Sequence, residues 1–243
     1  GSCPWLFANN GSSVEFVTDI LWRSPLGLRI NAQDTAGVMT TTDWVRVGGE
    51  QHTADDGTSH LRATTKPRAH HHCSHIALMV VDHPSGTEAF VDERFAFPPP
   101  EAAVTLTGAL EPVVSAIDHS GDDAAERVAA LDGRFVEIPL GRYQGVAQEH
   151  AITLAVDAGA DWLVAQGWTY PTDSSLNVAI AQGSTPSPSG IAIDVIGSDG
   201  TWRVARENVG FPAGKSKTML IDLEGLWGAG DVDGRLRLRT SSE

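Results

Sequence analysis

The chain has 243 residues, of which 41% are hydrophobic and 20% charged, and 17 Lys and Arg against 31 Asp and Glu leave a net charge of −14. That composition belongs to a globular protein with a core of its own. The acid excess argues against nucleic acid, because phosphate binding needs clustered Lys and Arg, and against docking on anionic lipid.

In chain order, Trp5–Ala8 and Val14–Leu21 read as strands joined by the turn Asn9-Asn10-Gly11-Ser12. Trp44–Val47 follows. Ile76–Val81 and Glu88–Phe97 read as a second pair across Pro84-Ser85-Gly86-Thr87. Val104–Thr107 and Val113–Ile117 are weaker strands. A short helix is expected near 122–131, with Asp122 or Asp123 as cap and Gly133 as its end. Beyond it, strands are expected at Phe135–Ile138, His150–Val156, Trp162–Gln166, Leu176–Ala181, Ile191–Val195, Trp202–Ala205, Lys217–Leu223 and Arg235–Arg239. In the last, Leu236 and Leu238 point one way and Arg235, Arg237 and Arg239 the other. That arginine row reads as a solvated face salted against the acidic surface.

Many short strands between frequent turns predict a mostly β fold, an antiparallel β-sandwich, in one β domain or two β-rich subdomains. A boundary near Gly141–Gln148 gives two regions: 1–145, with a histidine cluster and the helix, and a sandwich-like 146–243. The longest apolar run, Ile76–Val81, is far short of the ~20 residues of a membrane helix, so no membrane span is expected. The opening Gly1-Ser2 reads as a cloning remnant, with an upstream segment removed. Cys3 and Cys73 are the two cysteines, and their spacing does not decide whether they pair. The shortage of basic residues leans toward an extracytoplasmic location.

Four groups of residues invite a chemical reading. Gly210-Phe211-Pro212-Ala213-Gly214-Lys215-Ser216 looks like a phosphate loop, but three residues separate its glycines where the motif needs four, and a strand pattern follows. It reads as a loop feeding a strand. His70, His71, His72, Cys73 and His75, with His83 beyond, form a cluster whose imidazoles and thiolate suit Zn, Cu or Ni. In an extended chain His71, Cys73 and His75 share a face, in a helix His71 and His75 align instead, and a polar surface strand or loop is the plainer reading. The acidic turns Asp55-Asp56-Gly57, Asp118, Asp122-Asp123 and Asp231-Val232-Asp233-Gly234 offer the oxygens that Ca²⁺ takes, yet none has the spacing of a calcium loop, and plain turns explain them better. Seven tryptophans include Trp168, which stands with Tyr170 and Asp173 in a turn-rich segment. Exposed aromatic rings beside Asp and Asn bind sugars by stacking and hydrogen bonding, but tryptophan is also ordinary core filler in small sandwiches, and that is the plainer reading. No Gly-x-Ser-x-Gly elbow or His-Glu-x-x-His motif is present. Asp118-His119-Ser120 holds three triad residue types, but neighbours in sequence cannot converge as a triad does. No catalytic residue is assigned.

Three stretches carry a family resemblance. They are Cys3-Pro4-Trp5-Leu6-Phe7 with Phe16–Trp22; Val81–Thr87 with Val91–Phe95; and Gly210–Thr218 with Arg235–Thr240. Together they resemble the domain that follows tetratricopeptide or FG-GAP repeats in large bacterial proteins related to the cartilage acidic protein (ASPIC/UnbV) group. The resemblance implies an extracytoplasmic module within a larger repeat protein or assembly, continuing past Glu243, with no catalytic residues to carry over. The histidine cluster departs from the pattern. The function expected is a non-catalytic binding or scaffolding module that recognises a protein partner or a glycan. The alternative is a transition-metal protein or metalloenzyme built on His70–His75.

Overall fold

The computed structural model describes residues 4–9, 11–20, 44–48, 59–64, 75–96, 100–101, 103–170, 172–184, 186–212 and 214–243. The fold is mostly β, with antiparallel sheets and one α-helix among the described residues. The chain forms two compact units: Gly1–Ala109 with Pro212–Thr218, and Leu110–Phe211 with Met219–Glu243. This partition differs from a consecutive division at 145/146. The stretch after Leu110 belongs with the C-terminal strands because its own strand pairs with them.

In the first unit, β1 (Trp5–Asn9) lies between β2 (Val14–Asp19) and β3 (Leu61–Thr64), antiparallel to both. The expected hairpin forms. The Asn9 side chain accepts the Gly11 N–H at 2.9 Å, and Gly11 takes φ 90°, which glycine adopts without a Cβ penalty. Leu6, Ala8 and Val17 are buried on one side, with Val45 and Val47 against them. Trp44–Val47 therefore contributes side chains without joining a strand. On the other side Trp5, Phe7 and Phe16 meet edge to face, with ring centroids 5.8–6.4 Å apart.

The second expected hairpin is corrected. The turn forms, with Thr87 donating to the Pro84 carbonyl through N–H and hydroxyl. However, β4 (Glu88–Val91) pairs with β5 (Val104–Thr107), and Ile76–Val81 joins no strand among the described residues and is largely exposed. Glu88–Val91 is strand-forming as expected, but its partner is Val104–Thr107, farther along the chain, and not the apolar run before the turn.

The second unit carries a five-stranded antiparallel sheet in the order β10-β9-β12-β7-β6. Its strands are β6 (Ser115–Ile117), β7 (His150–Ala155), β9 (Ala192–Gly197), β10 (Trp202–Arg206) and β12 (Asp231–Thr240). A two-stranded sheet pairs β8 (Trp162–Gly167) with β11 (Lys217–Asp222). Ala116, Leu154, Ile193, Val195 and Leu236 from the first sheet share one core with Leu163, Met219 and Ile221 from the second. Two sheets burying their inner faces in one cluster make a β-sandwich.

The short helix expected near 122–131 is a four-residue 3-10 turn, Ala125–Val128. The α-helix, α1, falls at Ser174–Gln182, where the alternation Leu176, Val178, Ile180 reads as strand. Burial separates the two periods. Leu176 and Ile180 are half-buried, as residues four apart on one helix face would be, while Val178 is exposed. Phe135–Ile138 joins no strand.

Gly234 breaks the alternation of β12 where the chain needs it. It sits at φ 71°, its carbonyl accepts the Val156 N–H at 2.8 Å, and a Cβ there would lie 2.5 Å from the Val156 carbonyl oxygen. Gly234→Ala is expected to cost about 1–3 kcal/mol, seen as a lower thermal midpoint with the same far-UV spectrum.

Candidate functional site

β8 is amphipathic with period two. Leu163 enters the core and Ala165 packs against it, which turns Trp162, Val164 and Gln166 outward. The alternation continues past the strand into Trp168 and Tyr170. The exposed fractions are 41% for Trp162, 37% for Trp168 and 43% for Tyr170, so three large rings remain accessible along one edge. Two residues of extended chain put Trp168 and Tyr170 about 7 Å apart along the backbone.

Local contacts hold this edge in place. Trp168 meets Phe135 edge-on, with centroids 4.1 Å apart at 69°. The Tyr170 N–H donates to the main-chain oxygen of Glu243 at 2.6 Å, and the Glu243 carboxylate accepts the Gly145 N–H at 2.8 Å. Thr172 donates its hydroxyl to the Asn177 side-chain oxygen at 2.5 Å. Asp173, expected beside the rings as a ligand contact, is the N-cap of α1 and accepts the Leu176 N–H at 2.7 Å. Asp173→Ala is expected to cost about 1 kcal/mol, read as a lower urea midpoint. Phe135 carried no sequence signal for this role, because only the fold sets it against Trp168.

The arginine row on β12 is salted. Arg237 and Arg239 both reach the buried Asp194 of β9, at 2.6 and 2.9 Å, and Arg239 also meets Glu149 at 2.9 Å. The Arg237 guanidinium lies over the Trp202 ring, 4.7 Å from its centroid. Arg235 is exposed.

Of the histidine cluster, His70, His71, His72 and Cys73 lie outside the described residues. His75 is exposed. His83 Nδ1 is 3.1 Å from the Thr87 hydroxyl. That hydroxyl's hydrogen goes to the Pro84 carbonyl, so His83 Nδ1 is the donor in this contact. Among the described residues, no group of three or more His, Cys, Asp or Glu could hold a metal ion.

Of the acidic turns, Asp55-Asp56-Gly57 lies outside the described residues, and Asp118 and Asp231 use their carboxylates internally. Asp118 accepts the N–H groups of Asp122 and Ser120 and pairs with Arg127, which holds its carboxyl below the usual range. It therefore braces its own turn. His119 instead faces the Ser120 hydroxyl at 3.2 Å, so no carboxylate–imidazole–hydroxyl relay forms there. Asp231 pairs with Arg203.

The glycine-rich Gly210–Ser216 leads into β11 as a loop into a strand. Its Lys215 N–H donates to the Asp19 carboxylate at 2.9 Å.

No helix among the described residues is long and apolar enough to cross a membrane. No protein-family model matches the chain, and no curated protein or solved structure does.

Proposed function

We propose that the chain is a non-catalytic, extracytoplasmic binding and scaffolding module that takes a glycan along the Trp168–Tyr170 edge. The reading rests on the exposure of Trp162, Trp168 and Tyr170 on an edge whose opposite face is anchored in the core. Rings held open to water by a rigid sheet suit stacking on the apolar faces of a sugar. Gln166 and Thr172 stand two residues before Trp168 and two after Tyr170 in the chain and carry polar groups. The net charge of −14 favours a neutral or basic ligand over a polyanion. The resemblance to a domain that follows repeats supports a module set beside such repeats, where it would serve as one contact surface of an assembly.

The test is a glycan array followed by titration of intrinsic tryptophan fluorescence. Neutral oligosaccharides should bind and shift the emission. At about 0.5–1.5 kcal/mol per ring, the double variant Trp168→Ala, Tyr170→Ala should weaken binding by roughly tenfold, with its unfolding transition retained. A blank array, together with protein pull-downs that the double variant abolishes, would replace the glycan with a protein partner. Blank results in both would end the reading.

A further inference from the structure

In the first unit the buried Lys217 and Glu93 accompany a half-buried Asp19, and the glycan reading leaves all three unused. Lys217 is 2% exposed, Glu93 is 6% exposed, and the Asp19 carboxylate stands beside them. A lysine is almost never buried unless it is paired, and desolvating such a pair costs several kcal/mol per ion.

The arrangement around the amine is specific. Lys217 Nζ donates to the main-chain oxygen of Asp19 and lies 3.8 Å from Asp19 Oδ1, one bond from the carboxyl carbon. The same Oδ1 accepts the Lys215 N–H at 2.9 Å. The Thr18 hydroxyl donates to the Lys215 carbonyl at 2.9 Å, fixing that peptide. On the other side, Glu93 Oε2 accepts the Thr218 N–H at 2.9 Å, and the Glu93 N–H donates to the Thr218 carbonyl at 2.8 Å. Between these contacts Ser216 takes φ 57°, a conformation a non-glycine residue holds only when its surroundings impose it. The bend turns the Lys215 N–H and the Lys217 amine toward one carboxylate. Burial pushes the Glu93 carboxyl up, and the nearby Lys217 charge offsets this only in part. Glu93 is thus disposed to hold and pass a proton.

We propose that Lys217 and Asp19 condense into an intramolecular isopeptide bond, with Glu93 as the proton relay. The Lys217 nitrogen attacks the Asp19 carboxyl carbon, and the N–C bond forms. Oδ1, held by the Lys215 N–H, becomes the amide oxygen, and that donor stabilises its charge in the tetrahedral intermediate. The bond from carbon to Oδ2 breaks. Two protons of the ammonium leave with Oδ2 as one water, carried by Glu93, which ends as it began. No oxidant, cofactor or second substrate is needed. Permanent proximity supplies the effective concentration. The driving force is the replacement of the buried Lys217 charge and its half-buried carboxylate partner by one neutral amide.

The test is intact-mass spectrometry of the denatured full chain. The expected mass is lower than the sequence mass by one water. A tryptic digest should leave Lys217 uncleaved and yield its peptide joined to the peptide that carries Asp19. Lys217→Arg, which keeps the charge, should return the full sequence mass, as should Asp19→Ala. Glu93→Gln should also return it; a linked Glu93→Gln chain would overturn the relay. A wild-type chain at full sequence mass would overturn the bond. So would a water lost elsewhere, as at an aspartyl-glycine succinimide, with Lys217 cleaved normally. None of these readouts depends on glycan binding, so this inference and the proposed function fail independently.

Discussion

Asp194→Ala is expected to lower the stability of the second unit by about 3–5 kcal/mol, the cost of removing one partner from a buried ion pair. Asp194 is 1% exposed, and it meets Arg237 through one nitrogen and Arg239 through two. Alanine would leave both guanidiniums on the sheet face without their anion. Arg239 would keep Glu149, but that carboxylate is largely exposed, and such surface pairs contribute about 0–1 kcal/mol. Arg237 would keep its stack on Trp202. The effect should therefore exceed that of Glu149→Ala severalfold in a urea titration. The same carboxylate sets an acid limit. Burial works to raise the Asp194 carboxyl, but the hydrogen bonds and charges of Arg239 and Arg237 outweigh it and leave it below the usual range. A depressed folded-state pKa means that the contribution is present above the unfolded carboxylate value near ~3.9 and is lost as pH falls through the folded value. Stability of the wild type should drop over that acidic interval, and Asp194→Asn should flatten the drop. An unchanged slope in the variant would assign the acid limit to other carboxylates.

What the sequence discloses depends on whether a signal is local. The β1–β2 hairpin was legible because Asn9 and Gly11 set the turn within the loop itself. β12 was legible because Leu236 and Leu238 alternate with Arg235, Arg237 and Arg239. β3 was not: Leu61–Thr64 is mostly exposed and is a strand only through its pairing with β1. α1 was misread because Leu176, Val178 and Ile180 fit period two while Leu176 and Ile180 also fit a helical turn; the Asp173 cap and the burial of the pair decide for the helix. At the candidate site, Trp168 and Tyr170 stood out as large rings beside turn residues, whereas their brace Phe135 did not. Asp194 is one acid in an apolar run of sequence, and only the register that sets it opposite Arg237 gives it a role. Lys217 and Asp19 meet across 198 positions, a separation no local pattern spans.

Leu236→Ala tests the other face of the same strand. Leu236 is fully buried and sits opposite Leu154 of β7 and Val195 of β9. Removing its side chain should cost about 2–5 kcal/mol, as lost transfer energy plus the cavity left behind. Leu238 is two residues on, with its side chain on the same face, but it is only partly buried at the margin of the core, so Leu238→Ala should cost clearly less. The contrast follows from the sandwich. The sheet centre is closed over by Leu163, Met219 and Ile221 from the second sheet, and a void there cannot collapse without moving backbone that is paired on both sides. Equal losses at the two positions would mean that the second sheet does not cover the centre. The glycan edge is built on β8, whose Leu163 shares this core. If the site needs only a rigid platform, Leu236→Ala should lower the unfolding midpoint while leaving the affinity of the folded fraction within about twofold, less than 0.5 kcal/mol. A loss of affinity matching that of the Trp168→Ala, Tyr170→Ala variant would instead show that core packing itself sets the spacing of the rings.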